Sequence, residues 1–163
     1  MADLSYSFQT VSDYSLKNTA FIEELGFDVF EISVLRIARY FCEAFDQPMR
    51  QTWKLAFLEA EKIFPAPFGA TIANAISIAI DMVCLGRKRN FCYFQVNSLQ
   101  ANNVITDEER YFLMTLHQIR RGKKSAARSY AMIVCEGPHS EDFLAAMERL
   151  AIITGDVENP ILK

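Results

Sequence analysis

The sequence predicts an all-α fold, a single-domain helical bundle around a central apolar helix (67–86), and three observations carry that reading. Residues 67–86, PFGATIANAISIAIDMVCLG, are apolar on nearly every side, leaving one polar stripe, and a helix of that kind has to be enclosed by others. Segments before and after it repeat their apolar residues at helical spacing. Only six Gly and five Pro occur in 163 residues, so turns are few and elements long, which disfavours a sandwich or barrel of many short strands. The expected organisation is an N-terminal arm over 1–17, a helical domain over 18–154 and a C-terminal tail over 155–163, with room for a small two-stranded ribbon.

In chain order, Leu4, Tyr6 and Phe8 alternate, the pattern of an extended arm with one apolar face. Asn18 or Thr19 is placed to cap a short helix that Gly26 closes. Asp28 caps the first long helix, to about Asp46, whose buried row is Phe30, Val34, Ile37, Phe41 and Phe45. Arg36, Arg39, Glu43 and Asp46 fall on its wet face, with Arg39 and Glu43 one turn apart. Pro48 suits the first turn of the next helix, which buries Trp53, Phe57, Ala60 and Phe64 and stops at Pro65. After the central helix, residues 91–96, FCYFQV, are strand-like, and the arm is their natural partner. Residues 97–104 read as polar connection. Thr106 and Glu109 form a capping box for a helix to about Arg121 that buries Phe112, Leu113, Leu116 and Ile119. Gly122 breaks it. A further helix, about Lys124 to Cys135, buries Ala127, Tyr130, Ile133 and Val134. Ser140 opens the last one, with Phe143, Leu144, Met147 and Leu150 inward.

The net charge of −3 hides an uneven distribution: residues 1–85 carry −5, 86–128 carry +6 and 129–163 carry −4. A basic block between acidic ones can meet an acidic partner, a phosphate backbone or the protein's own acidic surface. The N-terminus lacks the basic and apolar regions of a signal peptide, and no apolar run is long enough to span a membrane. Four Cys in a chain of this length do not suggest a disulfide scaffold. The expected location is cytoplasmic, with reduced thiols.

Two basic clusters are the candidate partner-binding residues: Arg87, Lys88 and Arg89 after the central helix, and Arg120, Arg121, Lys123, Lys124 and Arg128 around Gly122. Two helices joined by a short glycine turn describe a helix-turn-helix and equally any helical hairpin. In the DNA-binding version Ser125, Arg128, Ser129 and Met132 would face the groove, yet that helix has no Asn or Gln to read adenine. Asn74, Ser77 and Asp81, at i, i+3 and i+7, form the polar stripe of the central helix and are the candidate ligand-binding residues. Cys84, Cys92, Cys135 and His139 lack the paired spacing of a zinc site, so neither metal nor cofactor is expected. His117 and His139 come with no nucleophile signature, and no phosphate-cradling glycine loop is present, so no catalytic residues are assigned. The expected function is a non-enzymatic, cytosolic protein–protein interaction or regulatory module, homodimeric, with itself and another protein as partners and no membrane. The alternatives are a nucleic-acid-binding regulator using 120–128 and a small-ligand binder at the polar stripe.

Overall fold

Asp28 decides where the first long helix begins. Its carboxylate accepts the Glu31 amide at 2.9 Å, and the Glu31 carboxylate accepts the Asp28 amide at 3.0 Å, so two of the helix's orphan donors satisfy each other's residues. In the computed structural model, which describes residues 8–11 and 18–158 (the side chains of 154 and 156–158 excepted), the elements are β1 (Phe8–Thr10), β2 (Thr19–Phe21), α1 (Val29–Asp46), α2 (Trp53–Ile63), α3 (Phe68–Cys84), β3 (Phe91–Tyr93), β4 (Val104–Thr106), α4 (Asp107–Arg120), α5 (Lys124–Val134) and α6 (Ser140–Glu158). The fold is a helical bundle with small strand pairs at one side. Leu4 and Tyr6 of the arm, and 159–163 of the tail, lie outside the described residues.

α3 holds the interior. Ile72, Ala73, Ile76, Ala79, Ile80 and Val83 are buried, and the helix packs on α6, α2 and α1. The enclosure is one-sided: Asn74 and Ile78 reach solvent. Gly69 is what lets α3 cross α2 closely. A Cβ there would stand 2.8 Å from Glu61 Cα and 3.0 Å from the Ala60 carbonyl oxygen, both backbone. α1 and α2 run antiparallel, as ring contacts between Phe30 and Phe64 (5.5 Å) and between Phe41 and Phe57 (5.9 Å) show.

The ribbon pairs β1 with β3 in parallel, Phe8 opposite Phe91. Phe8 is buried in its own domain, stacked on Phe45 at 5.8 Å. A second, antiparallel pair, β2 with β4, puts Thr19 opposite Thr106. It replaces the short helix expected from Asn18 or Thr19. Only a 3-10 turn, Ile22–Glu24, follows β2, because the backbone at 19–21 bonds to β4 rather than to itself. The polar connection over 97–104 ends in that same strand, with Ala101 and Val104 buried.

Other expectations fail at single side chains. Pro48 opens a 3-10 turn, Pro48–Arg50, instead of the helix, which starts at Trp53. Trp53 is 46% exposed; the α2 inner face is made by Ala56 and Ala60, small enough for close packing. Ile133 is likewise 51% exposed, and Ala131 takes its place inside. The last helix runs on to Glu158, into the expected tail.

The largest departure is on α1. Arg39 and Glu43 are not on a wet face but buried, and they do not pair. Arg39 reaches α4: its Nε donates to Glu109 Oε1 at 2.7 Å and its Nη2 to Glu109 Oε2 at 2.9 Å. It also donates to the carbonyls of Ala101 and Val104 and lies 5.5 Å over the Phe94 ring. Glu109 in turn accepts the amides of Phe94 at 3.1 Å and Thr106 at 3.0 Å. Glu43 pairs with Arg50 at 2.7 Å.

Replacing Gly69 by Ala forces α3 away from α2 and is expected to cost about 1–3 kcal/mol, the range for overpacking. A lowered urea midpoint with unchanged slope is the expected reading; an unchanged midpoint would show that the two helices separate freely.

Candidate functional site

The two basic clusters do not form one patch. They sit at opposite ends of α5, a helix of 11 residues, about 16 Å long at the α-helical rise per residue. Gly122, in the left-handed region at φ 71°, turns the chain between α4 and α5. It presents Arg120 and Arg121 to the start of α1, Arg120 half-buried and Arg121 still exposed.

Arg120 donates to Asp28 at 2.6 Å and to Glu31 at 2.8 Å, and its guanidinium lies 4.9 Å over the Phe30 ring. Arg121 donates to Glu31 at 3.0 Å. His117 Nδ1 stands 2.9 Å from the other Glu31 oxygen. Burial pushes the Glu31 carboxyl up, but the His117 contact, the Asp28 amide and Arg121 outweigh it and hold the group below the usual glutamate range. Asp28 is lowered against the same burial by the Glu31 amide and Arg120. Arg128 reaches Glu141 at 3.2 Å on the surface. Lys123 and Lys124 stay exposed, as do Ser125, Ser129 and Met132 on the outer row of α5.

At the other end of α5, Arg87 is a wall, not a probe. Its side chain is 6% exposed. It donates to the carbonyls of Arg89, Val134 and Asn90 and lies 5.7 Å over Phe91. Glu136 accepts Arg89 Nε and the Lys88 amide, both at 2.8 Å. Burial raises the Glu136 carboxyl, but the Lys88 amide, Arg89 and Arg87 together bring it below its ordinary value.

The polar stripe lies on the outer side of α3: Asn74 is exposed, Ser77 and Asp81 half-buried. None of the three lines either of the cavities described here. Cys42 and Cys135 are buried and Cys84 half-buried, and burial pushes all three thiols up, so they behave as small apolar side chains.

One cavity was missed by the sequence reading. It measures about 640 Å³ and opens between β1, the first turn of α4 and the end of α5, with Arg89, Cys92, Glu108 and Tyr111 on its walls. Thr106 fixes one edge by donating to the Cys92 carbonyl at 2.8 Å while accepting the Glu109 amide at 3.0 Å. Glu108 is half-buried there, and desolvation raises its carboxyl. No sequence motif marks this place, because its residues come from separated segments. The acidic first turn of α4 and the Arg87–Arg89 cluster were visible, but not their meeting. Two smaller features complete the surface. A pocket of about 70 Å³ lies beside Arg39, and an exposed apolar row lies on α2, where Leu55 and Leu58 are 48% and 52% exposed.

Comparison with known families, curated proteins and solved structures found no match.

The Glu31 cluster makes a pH prediction. Asp28 and Glu31 have folded pKa values below their ordinary 3.8 and 4.5. Their stabilisation is therefore complete above those ordinary values and is lost as pH falls through the lowered ones. Glu31→Gln is expected to cost about 1–3 kcal/mol at neutral pH, the range for charge-assisted bonds, and to flatten the acid limb of stability against pH. Thermal melts from neutral pH into acid test this; an equally steep acid limb in the variant would contradict it.

Proposed function

We propose that the protein is a non-enzymatic interaction module that pairs with a second copy of itself through the outer face of the α1–α2 hairpin. The observation that supports this is the row Leu55, Leu58 and Lys62 on α2. At i, i+3 and i+7 these residues share one face, opposite the buried Ala56, Ala60 and Phe64. Two outward leucines a turn apart in a helix of 11 residues are a docking stripe rather than a solvated face.

The neighbouring helix widens it. Arg36 of α1 bridges to Glu59 of α2 at 2.7 Å. In the antiparallel hairpin Ile32 and Ile63, each a turn from that bridge, fall at the same level, 40% and 37% exposed. Charge complementarity selects a second copy as the occupant. Lys54 and Glu61 are two turns apart on one flank of the row. In a two-fold antiparallel pairing of α2 with α2, that flank meets itself, so Lys54 of each copy comes opposite Glu61 of the other. Such flanking pairs set register and orientation while the leucines supply the burial.

The N-terminal arm is not the basis of this reading, since Phe8 is buried in its own domain. A regulatory role in the cytosol through a different protein partner is the wider expectation that self-pairing leaves open. The nucleic-acid alternative finds less support. Arg120 and Arg121 are engaged by Asp28 and Glu31, and Arg128 by Glu141, which leaves the exposed Lys123 and Lys124 of that cluster for phosphates. Among the described residues no helix is long and apolar enough to cross a membrane.

Sedimentation at high micromolar concentration is expected to give a dimer, Leu58→Asp a folded monomer, and Lys54→Glu a weaker dimer rescued by adding Glu61→Lys. A monomeric wild-type chain at that concentration, or a dimer indifferent to Leu58→Asp, would contradict the proposal.

A further inference from the structure

Around the 640 Å³ cleft most charges are matched; Glu108 is not, and Arg89 is matched only in part. Asp107 pairs with Arg110 at 2.8 Å, Glu109 with Arg39 at 2.7 Å, and Glu136 with both Arg87 and Arg89. Glu108, half-buried on the cleft wall, makes no ion pair among the described residues. Arg89 is 83% exposed and engages Glu136 through Nε alone, so its two terminal nitrogens remain open to a ligand. Glu108 and Arg87 sense each other's charge without forming a contact. The cleft thus carries one unanswered carboxylate and one partly unanswered guanidinium that form no ion pair with each other among the described residues.

We propose that this cleft binds a small zwitterion, a free amino acid or close relative, with Glu108 taking its ammonium group and Arg89 its carboxylate. There is room for one, since pockets of about 300 to 1,000 Å³ take even drug-sized ligands. The charge pattern selects against simpler ions. A plain cation meets Arg87 and Arg89, a plain anion meets Asp107 and Glu108, and only a ligand carrying both charges is favoured on both walls. Desolvation of the ionised Glu108 is the unfavourable part of the empty site, and a bound ammonium group relieves it. Arg87 contributes by rigidity: tied to three carbonyls, it holds the 87–89 turn that carries Arg89. Binding is accordingly expected to weaken as pH falls through the raised titration of Glu108. This site is separate from the α2 face, so its test is independent of the dimer.

The experiment titrates the common free amino acids, one at a time, into the full chain, followed by thermal shift and by amide resonances of Cys92, Glu108 and Tyr111. At least one is expected to raise Tm and move those resonances. Its N-acetyl form and its methyl ester, each lacking one charge, are expected to bind at least tenfold more weakly, and so are Glu108→Gln and Arg89→Gln. Arg89 is a surface side chain, so the second variant stays informative should the first disturb α4. The proposal is overturned when no free amino acid moves those resonances, when blocked forms bind equally well, or when both variants bind like the wild type.

Discussion

Arg39 and Glu109 are two charges placed inside a protein, and the surrounding chain is arranged to make that tolerable. Each Glu109 oxygen accepts two donors: Oε1 takes Arg39 Nε and the Phe94 amide, Oε2 takes Arg39 Nη2 and the Thr106 amide. Two further guanidinium N–H groups donate to the Ala101 and Val104 carbonyls. A buried pair is stable only when its remaining bonding capacity is met as well. Here that requirement shapes segment 94–106, whose buried apolar residues are Phe94, Ala101, Val104 and Ile105. The same clasp sets α1 against the first turn of α4. It therefore fixes Thr106 and Glu108, and with them one wall of the cleft.

The basic block of residues 86–128 is answered largely from within. Its arginines close onto Asp28, Glu31, Asp107, Glu136 and Glu141, acids drawn from all three charge blocks. A run of like charge in sequence is thus a set of long-range fasteners in space: α4 to α1, the 87–89 turn to the end of α5, α5 to α6. What remains open is smaller and more specific, a flank of alternating charge on α2 and an unequal pair across the cleft.

The sequence made the helices legible because their information is local. The cap at Asp28, the capping box at Thr106 and the apolar row of α3 each lie within a few residues, and their boundaries fall within one or two positions of the structure. The arm's pairing with 91–93 was also readable, since two strand-like pieces in a helical chain need each other. Arg39 was misread because helical spacing offered Glu43 as a partner, while the true one is 70 residues away. Trp53 was misread because hydrophobicity does not say which apolar residue a crossing helix has room for; Ala56 and Ala60 won on size. The cleft was invisible for the same reason as the clasp: the five segments that line it meet only after folding.

Glu109→Gln, followed by urea unfolding together with amide hydrogen exchange, tests most directly whether the buried pair organises the fold. Breaking one partner of a buried pair is expected to cost about 3–5 kcal/mol, and the Phe94 and Thr106 amides should lose protection ahead of the α3 core. A variant within about 1 kcal/mol of the wild type, within the usual spread of single substitutions, with both amides still protected, would show that the 94–106 segment and the start of α4 are held by something else.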